Sequence, residues 1–164
     1  MHSGPITIDV KHEHKIKTLV DVFTEISINK PLDIVADYAA NPDNAPEWYA
    51  NIKSAEWRSP KPLAVGSKIA FIAHFLGRQL AYTYEIMEFV PQQKLVMRTA
   101  EGPFPMETTY TWTTIDDQTT KMTLQNKGKP IGFSKLFAPF MATMMRRANT
   151  KDLKNIKRIL ERTI

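Results

Sequence analysis

The feature of this sequence that most constrains its fold is a series of alternating segments followed by one long amphipathic segment. Apolar and polar residues alternate in six successive stretches between residues 54 and 127, which predicts six β-strands. From about residue 134 to 162, apolar residues recur instead at helical spacing, which predicts one long helix. Successive strands with helices at the ends are typical of α+β proteins, in which the helix buries its apolar stripe on an antiparallel sheet.

One further strand and two short helices are predicted before this series. Residues 18–28 alternate in character and predict the first strand. The first short helix is predicted at 32–40, after Pro31, because proline is well tolerated at the start of a helix. The second carries Trp48 and Tyr49 and is too short to be stable unless it packs against the rest of the protein.

The third and fourth predicted strands are expected to form a hairpin around Gly77 and Arg78. A glycine at the first central position suits a type II′ turn, which joins antiparallel strands without splaying them. The register that this turn implies pairs Phe71 with Tyr84 and places apolar and aromatic residues together on one face. A slip of one residue would separate those side chains, so we expect this register.

The composition indicates one ordinary globular domain. The chain has 164 residues, of which 43% are hydrophobic and 24% charged. We expect an exposed arm at 1–17 and a single domain at 18–164. The chain has no cysteine, which excludes disulfides, thiolate zinc sites and cysteine nucleophiles. It has no apolar run long enough to span a membrane and no signal-peptide pattern at its start, so a cytoplasmic location is expected.

The basic residues are concentrated near the end of the chain. The net charge is +5, and most of the excess lies between Arg146 and Arg162. The simplest interpretation is the solvated face of the last helix. The alternative is a surface that contacts a protein partner or, transiently, a membrane. Nucleic acid is not an expected partner.

The sequence contains no recognised catalytic motif. It lacks the GxSxG, HExxH, phosphate-loop and GxGxxG patterns, and we expect no cofactor. His12 and His14 have no third ligand nearby, so no metal site is predicted. Glu88 is the candidate acid or base, because it continues the predicted inner face of the fourth strand and a carboxyl in an apolar pocket has a raised pKa. The alternatives are that Glu88 lies near water at the strand end or pairs with Arg98.

Aromatic residues and methionines converge on the predicted inner face of the sheet and on the last helix. Ordinary core packing is the alternative for any one of them, but as a set they include hydroxyl and indole groups that need partners when buried. A cavity of roughly 300–1,000 Å³ with apolar walls and a few polar groups would meet this need. The residues expected to contact a ligand are Trp48, Phe71, Phe75, Tyr82, Tyr84, Tyr110, Trp112, Phe137, Met141 and Met144.

Three parts of the sequence resemble one known superfamily. They are EISINKPLDIVADYAANPDNAPEWY, YEIMEFVPQQKLVMR and the predicted last helix. Over residues 20–160 the chain is similar to the SRPBCC or START-like superfamily, and to its polyketide cyclase/dehydrase and lipid-transport branch. The resemblance implies a helix-grip fold of the birch-pollen-allergen type. In that fold a curved antiparallel sheet of about seven strands wraps around a long C-terminal helix, with two short helices after strand 1.

The resemblance and the aromatic face together predict a binding protein. Members of this superfamily bind lipids, sterols, polyketides, hormones or quinones, and some are cyclases, hydrolases or co-chaperones. We expect a small hydrophobic ligand (lipid, polyketide, quinone or similar) between the sheet and the last helix, with weak catalysis or none. The first alternative is a cyclase, dehydratase or hydrolase that uses the same cavity, with Glu88 and the tyrosines moving protons. The second is a protein- or membrane-interaction module that uses the basic helix.

Overall fold

Seven strands form one antiparallel sheet in the computed structural model of the protein, which describes residues 20–75, 77–102, 104–129 and 138–162. Their order across the sheet is β1-β7-β6-β5-β4-β3-β2. The strands are β1 (Val20–Ile28), β2 (Ile52–Trp57), β3 (Lys68–Phe75), β4 (Arg78–Val90), β5 (Lys94–Glu101), β6 (Met106–Asp116) and β7 (Thr119–Gly128). The strands from β2 to β7 follow the chain order, and β1 joins the far edge beside β7.

Three α-helices lie between or after the strands in the described part of the chain. They are α1 (Leu32–Ala40), α2 (Ala45–Trp48) and α3 (Ala138–Glu161), and a turn of 3₁₀ helix precedes α2 at Pro42–Asn44. This order confirms the predicted helix-grip α+β fold. The predicted arm at 1–17 and residues 134–137 of the predicted last helix lie outside the described residues. No helix within the described ranges has the length and apolar character needed to cross a membrane.

The main core lies where α1, α2 and α3 pack on one face of the sheet. Trp48 of α2, Leu95 of β5, Leu124 of β7 and Ile156 of α3 are all at most 2% exposed in this cluster. A smaller cluster joins the start of α3 to β1 through Met141 and Val22. Because burial of apolar area contributes about 25 cal/mol per Å², these contacts hold the helices on the sheet.

The predicted register of the β3–β4 hairpin is wrong by two positions. Phe71 pairs with Tyr82, whereas the sequence pattern predicted Tyr84. Side chains alternate with a period of two along a strand, so both registers place the same residues on the inner face. The alternation therefore predicted the faces correctly and could not distinguish between the two registers.

The position of the turn accounts for the difference in register. Phe75 pairs with Arg78, so Gly77 is the second central residue of the connection and not the first. Gly77 has a φ of 73°, which a residue without a side chain adopts at little cost. The prediction that Gly77 lies in the turn is correct, but the predicted position of Gly77 within the turn is wrong.

Candidate functional site

A cavity of about 220 Å³ lies between the inner face of the sheet and α3. Its volume is below the range of roughly 300–1,000 Å³ expected from the sequence. Large apolar side chains from the middle strands project into the space between sheet and helix and reduce it. The main apolar side chains of the wall are Ile69, Phe71, Leu80, Ile86, Leu95, Met97 and Met145.

Five of the ten residues expected to contact a ligand lie on the cavity wall. These residues are Phe71, Tyr82, Tyr84, Tyr110 and Met141. Phe71 and Tyr84 meet edge to face with ring centroids 5.8 Å apart, and Tyr82 lies 6.2 Å from Tyr84. The inner face of the β3–β4 hairpin and of β6 is thus aromatic, as expected. Ligand contact by these residues stays a prediction.

Three of the ten residues lie elsewhere than on the wall. Trp48 and Trp112 are 0% and 3% exposed and belong to the main core cluster, where their rings support α2 and β6. Met144 is half-buried on α3, beside the wall residues Met141 and Met145. The expectation that Trp112 and Met144 would line the cavity is therefore not met. Phe137 and the side chain of Phe75 lie outside the described residues.

One end of the cavity is polar, and its side chains are linked by hydrogen bonds. The Thr108 hydroxyl on β6 donates to Asn126 Oδ1 on β7 at 2.6 Å, and Asn126 Nδ2 donates to Asn149 Oδ1 on α3 at 3.1 Å. All three residues line the cavity. Asn149 is 4% exposed, and its Nδ2 donor has no partner among the described residues. This unpaired donor is unusual, because buried polar groups are nearly always hydrogen-bonded.

Asp152 adds a buried carboxyl to the same end of the cavity. It follows Asn149 by three residues on α3, is 3% exposed and lines the cavity. Its Oδ1 accepts a hydrogen bond from the Ala50 backbone N–H at 2.9 Å, which connects the segment after α2 to α3. Burial raises the pKa of Asp152 to about 6, and the opposing effects of the Ala50 hydrogen bond and of Lys151 are smaller. This carboxyl therefore exchanges its proton close to neutral pH.

Two tyrosine hydroxyls lie near this carboxyl. Tyr49 and Tyr110 are hydrogen-bonded to each other, and burial raises the pKa of both. Burial also raises the pKa of Tyr84 to about 12. All three phenols stay protonated at neutral pH, so they can orient a ligand as neutral hydrogen-bonding groups but do not act as bases there.

Glu88 does not continue the inner face of β4, contrary to the sequence-based expectation. The β4–β5 register shifts between Ile86 and Glu88, which inserts one extra residue and reverses the alternation. Glu88 pairs with Val96, which lies between the cavity-lining residues Leu95 and Met97 and therefore faces the other way. The Glu88 side chain is 48% exposed. It belongs to the outer surface of the sheet.

The ion pairs around Glu88 also differ from the proposed alternative. Glu88 Oε2 lies 3.2 Å from Lys94 Nζ, while Arg98 pairs with Glu107 at 2.5 Å. The interpretation that Glu88 lies near water is correct, but its partner is Lys94 and not Arg98. An exposed carboxyl paired with a lysine is not placed to exchange protons with a molecule in the cavity.

The basic residues of α3 lie on the side of the helix that faces solvent. Lys154, Arg158 and Arg162 are exposed, and none of them lines the cavity. Lys157 donates to the Ser27 carbonyl at 2.6 Å, which fastens the helix to β1. This arrangement agrees with a solvated helix face. Within the described residues, no three His, Asp or Glu side chains come together as metal ligands.

Comparison with a family model decides the classification. The model described as "Polyketide cyclase / dehydrase and lipid transport" matches residues 20–161, most of the chain. The chain belongs to the polyketide cyclase/dehydrase and lipid transport family. The resemblance found in the sequence is thereby confirmed. No curated protein matches the chain in sequence.

Solved structures similar to this family member share its fold at low identity. A START superfamily protein from Mycobacterium smegmatis has a TM-score of 0.75 at 10% identity, covering 88% of this chain and 99% of that one. A protein from Thermus thermophilus has a TM-score of 0.74 at 17% identity, covering 85% and 96%. The Zhui aromatase/cyclase from Streptomyces sp. R1128 has a TM-score of 0.70 at 17% identity, covering 87% and 93%. Family and fold support hydrophobic ligand binding in general.

The polar end of this family member's cavity was not predicted from the sequence, although α3 carries a signal for it. Asn149 and Asp152 occupy positions within the apolar stripe of α3, between Met145 and Ile156. Polar residues at helical spacing inside an apolar stripe must be either paired or functional. Thr108 and Asn126 carry no such signal, because they reach Asn149 only through the β6–β7 pairing.

Proposed function

We propose that this protein binds a small hydrophobic ligand, such as a lipid, polyketide or quinone, in the cavity between the sheet and α3. The observation that carries the proposal is the composition of the cavity wall, which is mostly apolar and includes a few polar groups, among them the hydrogen-bonded set Thr108, Asn126 and Asn149. This is the usual composition of small-molecule sites. Removal of the ligand's apolar surface from water supplies the driving force, at about 25 cal/mol per Å².

The polar groups support a binding cavity over a simple packing defect. Asn149 Nδ2 is buried without a partner among the described residues, and the Asp152 carboxyl is almost fully removed from solvent. Both arrangements lower the stability of the folded protein when no ligand is bound, because buried polar groups lose their hydration. A ligand that hydrogen-bonds to this end would offset that loss.

The direct test starts from the purified protein. Native mass spectrometry should detect a bound organic molecule, and solvent extraction should release it for identification. The cavity is then tested by Ala73→Trp, because Ala73 lines the cavity on the inner face of β3. The new side chain should reduce uptake of a hydrophobic fluorescent dye by at least about tenfold while costing about 1–3 kcal/mol of stability.

Ala81→Trp is the matched control. Ala81 lies in the same hairpin but is exposed and outside the cavity wall, so its replacement should leave dye uptake unchanged. Equal uptake by the parent and both variants would place the dye elsewhere and contradict the proposed site.

A second candidate function is an enzyme of the cyclase, dehydratase or hydrolase type, and Asp152 is the observation that favours it. A cavity carboxyl with a pKa of about 6 can give or take a proton near neutral pH. Asp152, rather than Glu88, would then be the acid or base. The test incubates the protein with a diketone and follows turnover in the parent, Asp152→Asn and Glu88→Gln. Turnover lost only in Asp152→Asn would establish the enzyme, and its absence from all three proteins favours the carrier.

A further inference from the structure

The described residues at the polar end of the cavity offer hydrogen bonds and carry no positive charge. Among the described residues that line the cavity there is no lysine, arginine or histidine, and the only ionisable carboxyl is Asp152. The basic side chains of α3 lie on its other side. A ligand that enters with a negative group therefore finds no cation among these described residues to neutralise it.

The unpaired donor at this end is Asn149 Nδ2. Asn126 occupies the Asn149 Oδ1 acceptor and is itself held by Thr108, so the amide has a defined orientation. Its Nδ2 is left without a partner in the described part of the chain, at 4% residue exposure. An acceptor atom on the ligand would satisfy this donor, whereas an all-hydrocarbon ligand would leave it unpaired.

Asp152 determines which kind of acceptor is tolerated. Tyr49 and Tyr110 lie beside it and are neutral, Ala50 donates one backbone hydrogen bond, and Lys151 is an exposed neighbour on α3. A ligand carboxylate here would face either a second carboxylate or the loss of its own hydration, both of which are strongly unfavourable at low dielectric. A ketone oxygen carries no net charge and avoids both.

We propose that the polar end of the cavity selects neutral, ketone-bearing hydrophobic ligands through Asn149 Nδ2 and excludes ligands that bring a carboxylate. This inference rests on the proposed function and narrows its ligand class. Asn149 binds the carbonyl oxygen, Asn126 and Thr108 hold Asn149 in place, and Asp152 rejects anions.

The test uses three probes with the same naphthalene ring: methyl naphthyl ketone, its near-isostere isopropylnaphthalene, and naphthoate. Affinities are measured by calorimetry near neutral pH, where naphthoate is ionised. The ketone should bind about tenfold more tightly than isopropylnaphthalene, since one satisfied buried donor has about that effect. Naphthoate should bind at least about a hundredfold more weakly than the ketone.

Two variants assign these preferences to residues. Asn149→Leu should abolish the tenfold preference for the ketone, because the ketone loses its donor and isopropylnaphthalene no longer leaves a buried donor unpaired. Asp152→Asn keeps an oxygen for the Ala50 hydrogen bond and should raise naphthoate affinity about tenfold, with the preference for ketone over hydrocarbon retained. If Asn149→Leu fails to fold, two comparisons still test the inference. The first is the affinity of the parent protein for the ketone against isopropylnaphthalene, and the second is the naphthoate affinity of the parent against that of Asp152→Asn.

The outcomes separate this inference from the function on which it rests. If isopropylnaphthalene binds as tightly as the ketone, or naphthoate binds most tightly, the protein is still a binder and the inference is overturned. If none of the three probes binds, the proposed function fails together with the inference.

Discussion

The two halves of the cavity wall differ in how they are built. The half formed by β3 and β4 presents apolar and aromatic side chains such as Ile69, Phe71 and Leu80. The other half, from β6, β7 and α3, presents the linked groups Thr108, Asn126, Asn149 and Asp152. Hydrophobic burial has no preferred direction, whereas hydrogen bonds require defined angles and distances. Under the proposed function, the apolar half sets the size of the ligand and the polar half sets its chemistry.

The largest effect is expected from truncation in the apolar half. Ile69 is 1% exposed and lines the cavity, so Ile69→Ala removes packed methyl groups and should cost about 2–5 kcal/mol of unfolding free energy. Urea unfolding measures the loss. Ile72→Ala is the control, because Ile72 lies on the opposite face of β3 and is only half-buried. Equal losses in the two variants would show that the cavity side of β3 is not the better packed side.

The next largest effect is a dependence of stability on pH that arises from Asp152 in the polar half. The pKa of Asp152 is raised from its ordinary 3.8 to about 6, so the folded state holds this proton more tightly than the unfolded state. Between these two values the contribution of Asp152 to stability falls as pH rises, so this carboxyl should contribute on the order of 1–3 kcal/mol more at about pH 4 than at about pH 7. Unfolding measured across this range checks the sign.

Asp152→Asn isolates the contribution of that one carboxyl. It keeps the acceptor for Ala50 and removes the titration, so the difference between the parent and the variant should vary over this pH window. The lowered pKa values of Asp43 and Glu161 act in the opposite direction in both proteins and cancel in the difference. A difference that is independent of pH would mean that Asp152 titrates at its ordinary value.

A smaller loss of stability is expected when the hydrogen bond between Thr108 and Asn126 in the polar half is removed. Thr108→Val keeps the side-chain shape and removes the hydrogen bond to Asn126, which should cost about 1 kcal/mol. Thr113→Val, at an exposed position on the same strand, should stay within about ±0.5 kcal/mol. Thermal unfolding of both variants makes the comparison. If Thr108→Val costs no more than its control, Thr108 does not support the amides.

The smallest effect is expected outside the cavity. Glu88→Gln removes an ion pair in which both side chains are more than 40% exposed, so stability should change by less than about 0.5 kcal/mol. Dye uptake should stay the same. A marked loss of dye uptake in this variant would mean that the Glu88 side chain contacts the bound dye. That result would contradict its assignment to the outer surface of the sheet.

Local patterns predicted most of the fold. The first short helix was predicted at 32–40 and forms there, because Pro31 starts it and apolar residues recur at helical spacing. The inner positions of β3 and β4 were also predicted correctly, including Phe71, Tyr82 and Tyr84. Both signals depend only on neighbours along the chain, and such periodicities are visible in the residues themselves.

The parts that could not be predicted depend on contacts between distant segments. The face of the sheet on which the Glu88 side chain lies depends on an extra residue in β4. The β3–β4 register depends on the position of Gly77 within its turn. Alternation with a period of two is unchanged by a shift of two residues and gives no warning of a bulge.

The candidate site shows the same division between sequence and tertiary structure. The sequence by itself determined that aromatic side chains share the inner face of the sheet, since every second residue of a strand points the same way. Only the tertiary structure decided that Asn126 meets Asn149 and that Asp152 meets Ala50. These contacts depend on the rotation of α3 about its own axis as it packs on the sheet. That rotation is set by the combined fit of many side chains, which no local pattern along the chain encodes.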